Sequence, residues 1–214
     1  MTRIALIHAL AQSVPPINQA FARLWPEATL MNLLDDSLSA DVAKTGLDAC
    51  MHQRFMTLAD YAVGCGSDAI LYTCSAFGPC IEAVARKYPD MPVLKPNEAM
   101  IAQAARRGKR IGLVATFAPT LASMPAEFPG SVEVETELAA GALDALNAGD
   151  AARHDELAAQ AAGRLHARGC DLIALAQFSL ARAAPKVAQS VPLEVLTTVD
   201  SAVELLREKL SSSH

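Results

Sequence analysis

Short apolar segments alternate along this chain with longer segments of helical periodicity. Apolar runs of about four to eight residues predict buried strands, whereas apolar residues recurring every three or four positions predict helices. In the first half, this pattern predicts strands at residues 3–8, 28–33, 68–73 and 92–94. It also predicts helices at residues 15–25, 46–64, 78–88 and 97–107. Strands that alternate with helices in this way predict parallel sheets covered on both faces.

A polar segment at residues 35–41 follows the second predicted strand and has no clear periodicity. We expect a loop here. Its position beyond a strand end would make it a lid or the edge of a pocket, because binding residues often lie on such loops. A plain solvated connection is the alternative interpretation.

The second half of the chain repeats the pattern of the first. The segment Arg110-Ile-Gly-Leu-Val114 resembles Arg3-Ile-Ala-Leu-Ile7, and two further pairs of segments match in the same order. These are residues 169–177 with 66–74, and residues 192–196 with 92–94. We interpret the chain as two copies of one βα unit.

The predicted fold class is therefore α/β, with two pseudo-symmetric lobes. Each lobe is a parallel sheet flanked by helices, and a crevice is expected between the lobes, where ligands of such folds bind beyond the carboxyl ends of the strands. We place the first lobe at residues 1–97, joined by a C-terminal helix at about residues 199–214, and the second at residues 98–198.

Composition narrows the functional classes. The chain has 214 residues, is 52% hydrophobic and carries a formal charge of −5, so it offers no electrostatic reason to expect nucleic acid as a partner. No apolar run reaches the length of a membrane span, and the first residues are strand-like rather than a signal peptide. Five cysteines, an odd number, favour a reduced, cytoplasmic setting. No Cys/His spacing predicts a metal site.

Cys74 is the strongest candidate for chemistry because it comes directly after the apolar strand at residues 68–73. Gly78 and Pro79 then predict the start of a helix. Unpaired N–H groups and the helix dipole at that point would favour the thiolate, which would make Cys74 a base or nucleophile. The alternative is a buried thiol that only fills space. That is our interpretation of the other cysteines, Cys50, Cys65, Cys80 and Cys170.

The paired lobes, the Thr73-Cys74-Ser75 corner, the Gly-Leu-Val-Ala-Thr116 strand end and Gly149-Asp150 before a long helix together resemble the aspartate/glutamate/hydantoin racemase superfamily. Its members include amino-acid and hydantoin racemases, maleate isomerase and arylmalonate decarboxylase. The resemblance implies a cofactor-independent enzyme. In the racemases two cysteines, one per lobe, act from opposite faces of a substrate carbon, and Cys74 matches the first of them.

The second catalytic cysteine is replaced, since the resemblance would place it where this chain has Gln177. A glutamine amide cannot take a proton from carbon, although it donates and accepts hydrogen bonds to a carboxylate. Symmetrical two-thiol racemisation is therefore in doubt. Decarboxylases of the superfamily also use one catalytic cysteine, although it lies on the other lobe, so chemistry with one thiol is compatible with the fold.

Removing a proton or carbon dioxide beside a carboxylate leaves an enediolate, which needs preorganised hydrogen-bond donors. We expect these donors to come from residues at the strand ends of both lobes. The predicted substrate-binding residues are His8, Thr73, Ser75, Ala76, Thr116, Thr120, Gln177 and Ser179. His8 is also the most plausible helper in proton transfer, and a histidine satisfied by a nearby carbonyl is the alternative.

We therefore predict a cofactor-independent isomerase or racemase that acts on a small amino acid or dicarboxylate through Cys74. Two alternatives are a one-cysteine decarboxylase and a non-catalytic module that binds small carboxylates. A thiol redox protein that pairs Cys74 with Cys80 is a further hypothesis, although their spacing makes a disulfide awkward. We expect a small carboxylate as partner, no nucleic acid, no membrane, and a homodimer.

Overall fold

The computed structural model describes residues 2–211. The chain divides into two compact units. The first is formed by residues up to Glu98 together with the segment from Ala202 onwards, and the second by residues 99–201. Each unit contains a four-stranded sheet in which all paired strands are parallel. The predicted α/β class is confirmed.

The first unit has the strand order β2-β1-β3-β4. Its strands are β1 (Arg3–His8), β2 (Thr29–Leu34), β3 (Ala69–Tyr72) and β4 (Val93–Leu94). Its helices are α1 (Val14–Leu24), α2 (Ser37–Thr45), α3 (Ala49–Gly64) and α4 (Gly78–Lys87). Every residue of β3 is buried, as expected for a central strand covered by helices on both faces.

The second unit repeats this order as β6-β5-β7-β8. Its strands are β5 (Arg110–Ala115), β6 (Glu133–Leu138), β7 (Leu172–Leu175) and β8 (Glu194–Thr197). Its helices are α5 (Glu98–Arg107), α6 (Ala118–Ser123), α7 (Ala142–Asn147), α8 (Ala151–Ala167), α9 (Ala184–Ser190) and α10 (Thr198–Ser211). The last of these continues into the segment assigned to the first unit. In the described part of the chain, no helix combines the length and apolarity that crossing a membrane requires.

The same hydrogen bond between two central strands occurs in each of the two copies. Asp68, just before β3, accepts a hydrogen bond from the backbone N–H of Arg3 at 2.8 Å. Asp171, just before β7, accepts one from the backbone N–H of Arg110 at 3.3 Å. In both copies the turn before the aspartate is made by a glycine with positive φ. The repeat in the sequence is therefore a repeat in hydrogen bonding.

The prediction of a loop after β2 is wrong, because that segment contains the start of helix α2. Asp35 accepts hydrogen bonds from the backbone N–H and hydroxyl of Ser37, at 3.2 and 2.6 Å. Arg54 on α3 pairs with Asp35 at 2.6 Å and with Asp41 at 2.7 Å. Leu38 is the buried residue of this helix. One buried leucine gives no periodic signal, and the polar residues that indicated a loop are satisfied by an arginine from another helix.

Candidate active site

Cys74 lies at the carboxyl edge of the sheet in the first unit. β3 ends at Tyr72, and the backbone stays extended through Cys74, with φ −131° and ψ 124°. A short 3-10 turn, Ser75–Phe77, then separates it from α4. Cys74 as a whole residue is half-buried.

Burial raises the pKa of the Cys74 thiol above its usual range, and a hydrogen bond from the backbone N–H of Ala76 lowers it by a smaller amount. This direction is opposite to the thiolate predicted from the sequence. The helix whose dipole would stabilise the thiolate begins only at Gly78, after the 3-10 turn. The dipole acts mainly within the first turn of a helix, so desolvation dominates. The resting group is therefore a thiol, which is ready to donate a proton.

We expect alkylation of Cys74 to need a higher pH than alkylation of a free cysteine in a short peptide. The thiolate is the reacting form, and a raised pKa lowers its fraction at any given pH. The experiment follows iodoacetamide labelling by mass spectrometry against pH, in a protein carrying Cys50→Ser and Cys65→Ser. A labelling midpoint below that of the peptide would contradict a desolvated thiol.

A hydrogen-bond network centred on the buried His8 lies beside Cys74. His8, the last residue of β1, is 0% exposed. Its Nδ1 lies 2.9 Å from the hydroxyl oxygen of Thr73, and its Nε2 lies 3.0 Å from Oδ1 of Asn32 on β2. Burial lowers the pKa of His8, and the hydrogen bond to Asn32 raises it by a smaller amount. His8 is therefore a neutral imidazole with both ring nitrogens paired. Thr73, also predicted as a substrate-binding residue, is in direct contact with it.

A narrow cleft in the first unit joins His8 to Cys74. It leaves less room than a water molecule needs, and most of its lining is apolar. The lining residues are Ile7, His8, Ala9, Leu38, Phe55, Tyr72, Cys74 and Phe77. Leu38 comes from the unpredicted helix α2, so this helix covers one side of the cleft.

An aromatic cluster forms the apolar base of this cleft. The ring of Phe55 on α3 lies 5.1 Å from that of Tyr72 and 4.8 Å from that of Phe77, measured between centroids. The hydroxyl of Tyr72 donates to the backbone carbonyl of Phe55 at 3.2 Å. Because Tyr72 and Phe77 flank the Cys74 corner, the cluster fixes the backbone on both sides of the thiol.

In the second unit, Gln177 and Thr116 are joined at the matching strand ends. Oε1 of Gln177 accepts hydrogen bonds from the backbone N–H of Thr116 at 2.6 Å and from its hydroxyl at 2.9 Å. These two donors occupy the amide oxygen and fix the orientation of the amide. The NH₂ group of Gln177 is therefore the part that is left to act as a donor.

The other predicted residues lie in the segments that follow these strand ends. Ser75 and Ala76 are exposed in the 3-10 turn after Cys74. Thr120 is half-buried in α6, and Ser179 is half-buried in the 3-10 segment Phe178–Ala183. Sequence reasoning missed Asn32, whose only signal was a polar residue between Met31 and Leu33 on an otherwise apolar strand.

The five cysteines are free, and Cys80 packs in the same buried cluster as Phe55 and Tyr72. Its burial there fits the interpretation of Cys80 as a residue that fills space. Among residues 2–211, no three His, Cys, Asp or Glu side chains form a group suited to a metal ion.

The sequence model of the family described as Asp/Glu/Hydantoin racemase matches residues 17–206. Several solved structures share the fold. An aspartate racemase homologue from Pyrococcus horikoshii is 14% identical, with 99% of this chain and 100% of that chain covered and a TM-score of 0.78. A glutamate racemase from Francisella tularensis, in complex with D-glutamate, is 14% identical, with 99% and 82% covered and a TM-score of 0.71.

A third similar structure is a variant of arylmalonate decarboxylase in which cysteine replaces a glycine, in a sulfate-associated form. It is 17% identical, with 99% of this chain and 94% of that chain covered and a TM-score of 0.68. No curated protein matches the chain by sequence. At these identities the structural similarities establish the fold.

Proposed function

The chain belongs to the Asp/Glu/Hydantoin racemase family, and we propose that it is a cofactor-independent isomerase that moves a proton at the carbon next to a carboxylate. The proposed substrate is a small amino acid or dicarboxylate. The observation that carries this proposal is the half-buried Cys74 thiol at the end of β3, next to the buried His8–Thr73 pair. The named relatives act on amino acids or malonates, which supports a carboxylate substrate.

Cys74 is the proposed acid and base. Its sulfur carries the proton in the resting state, because burial raises the pKa of the thiol. To abstract a proton from carbon, the thiol must first release its own proton to solvent, and inversion then requires water to protonate the opposite face of the enediolate. To protonate an enediolate formed by loss of carbon dioxide, the thiol needs no prior step. The N–H of Ala76, which already donates to the sulfur, stabilises the thiolate whenever it forms.

Gln177 is the proposed carboxylate anchor. Its oxygen is occupied by Thr116, so its NH₂ group would donate to a substrate oxygen in a fixed direction. Such a donor is useful for an enediolate, whose charge develops on the carboxylate oxygens. It does not replace the second thiol of the racemases, since it cannot accept a proton from carbon.

A one-cysteine decarboxylase is the second candidate, favoured by the resting thiol and by Gln177 in place of cysteine. In this reaction the bond to a malonate carboxylate breaks, carbon dioxide leaves, and the electron pair remains as an enediolate. The Cys74 thiol then gives its proton to one face of the carbon, and water restores the thiol. In this order of steps the thiol acts first as an acid, and burial favours its protonated form.

The experiment that separates these candidates is a substrate panel in D₂O. It contains aspartate, glutamate, hydantoins, maleate and substituted malonates, followed by NMR and chiral chromatography. Exchange or inversion at the carbon of an amino acid supports the isomerase, and release of carbon dioxide supports the decarboxylase. Tight binding of a carboxylate without turnover of any compound would overturn both and favour a binding module.

We predict that Gln177→Cys raises amino-acid racemisation by at least about tenfold, because it adds a second thiol where the racemases are expected to have one. Chiral chromatography of aspartate and glutamate measures the gain. The matched control is Gln189→Cys, which adds a thiol at an exposed position of α9 in the same unit. Equal rates in both variants would contradict the assignment of residue 177.

A further inference from the structure

The partners of His8 determine the position of its proton. Oδ1 of Asn32 is an acceptor, so the ring nitrogen beside it, Nε2, must carry a hydrogen. In a neutral imidazole the other nitrogen then has a lone pair and accepts a hydrogen bond. The hydroxyl of Thr73 therefore donates to Nδ1 of His8, and its proton points away from any ligand.

A proton on His8 reverses this arrangement. Nδ1 would become a donor to the oxygen of Thr73, and the hydroxyl hydrogen of Thr73 would be released. The other acceptor within reach of that hydrogen is the backbone carbonyl of Ile7, at 3.4 Å, which is a long distance for a hydroxyl donor. A carboxylate at the neighbouring Cys74 corner would be a better acceptor.

The groups around His8 permit its protonation when a ligand binds. The titratable side chains that share its cleft are Cys74 and Tyr72, and burial raises the pKa of both, so both are neutral. Asn32 on β2 and Thr73 after β3 are uncharged. Next to this group, the backbone N–H of Asp35 donates to the carbonyl of His8 at 3.0 Å, and the Asp35 carboxylate is paired with Arg54 at 2.6 Å. A bound anion would therefore add an unpaired charge beside His8.

We propose that His8 is a positioning residue whose protonation turns the Thr73 hydroxyl toward the substrate carboxylate, so that carboxylate binding takes up a proton. The inference rests on the proposed function, because it assumes that a carboxylate binds at the Cys74 corner. The proton comes from solvent and goes to Nδ1, and the hydroxyl of Thr73 changes its acceptor from His8 to the carboxylate. No covalent bond to the substrate is made or broken in this step.

The experiment measures malonate binding by calorimetry in buffers of different ionisation enthalpy, together with ¹⁵N NMR of the histidine rings. The expected result is uptake of up to one proton per malonate at neutral pH. Because the free protein holds His8 neutral, affinity should fall by about tenfold per pH unit while the bound form stays protonated. The NMR signal of His8 should change from a neutral ring with a hydrogen on Nε2 to a charged ring.

Two variants make the coupling specific. In Thr73→Val the hydroxyl is absent, so malonate should bind more weakly and without proton uptake. In Asn32→Asp a carboxylate faces Nε2, so His8 should be charged in the free protein and malonate binding should lose most of its proton uptake. His166→Gln, an exposed change on α8, is the control and should keep the wild-type proton uptake.

Malonate binding with His8 neutral throughout, or with only a switch of its tautomer, would overturn the proposal. So would failure of malonate, succinate, aspartate and glutamate all to bind. A protein that binds malonate with proton uptake but turns over none of the panel would refute the proposed chemistry and leave the role of His8 intact. Turnover with no change at His8 would refute the role of His8 and leave the proposed chemistry intact.

Discussion

Replacing Cys74 by serine should lower turnover by about a thousandfold or more, because a serine hydroxyl is far too weak an acid or base to exchange a proton with carbon. The folded structure should be nearly unaffected. Cys74 is half-buried at a strand end, and serine preserves its shape, so the free energy of unfolding should change by less than about 1 kcal/mol. Initial rates on the best substrate of the panel, with a urea unfolding curve for each protein, measure both effects.

The matched control is Cys50→Ser, which changes an exposed cysteine on α3. This variant should keep wild-type turnover and stability. Equal activity in the two variants would show that the thiol of Cys74 does not take part in the reaction. Loss of activity in Cys74→Ser with unchanged carboxylate binding would assign the thiol to the chemical step rather than to binding.

Phe55→Ala should lower the free energy of unfolding by about 3–5 kcal/mol, as for other large aromatic truncations in packed cores. The ring of Phe55 is 2% exposed and packs against the rings of Tyr72 and Phe77. Its removal would leave a cavity beside the cleft and free the two residues that flank the Cys74 corner. Urea denaturation followed by circular dichroism gives the midpoint and slope needed for the comparison.

Tyr61→Ala on the same helix is the control, because Tyr61 is 60% exposed. Its free energy of unfolding should change by less than about 0.5 kcal/mol. A similar loss in both variants would mean that helix propensity, and not the aromatic cluster, accounts for the effect of Phe55→Ala.

The strand and helix pattern was predictable because it depends on local periodicity. β3 is four consecutive buried apolar residues, and so is its copy β7, so both were evident from the sequence. Helix α2 was not evident, since Asp41 within it and Asp35 before it pair with Arg54 from a helix that lies later in the chain. Strand β6 was also missed. Three of its six residues are glutamates, two of which pair with Arg164 on α8 and with Arg168 directly after that helix.

The site shows the same division between local and long-range information. Cys74 was proposed from its position just after a strand, which is a local property, and Gln177 from the match of its segment to that of Cys74 in the repeat. The direction of the shift in the pKa of Cys74 was not predicted, because it depends on burial. The side chains that line the cleft with Cys74, among them Leu38, Phe55 and Phe77, come from separate elements. Asn32 was missed for a similar reason, since only the parallel pairing of β1 and β2 brings it to His8.

Whether the sulfur of Cys74 exchanges the proton is tested most directly by deuterium incorporation into the substrate carbon in D₂O, followed by NMR over many turnovers. Because the thiol exchanges its proton with D₂O between turnovers, we expect one deuteron at the carbon next to the carboxylate in the wild type and in Cys50→Ser, and none above background in Cys74→Ser. Equal incorporation in Cys74→Ser and the wild type would contradict this role, because the sulfur would then not be the group that exchanges the proton.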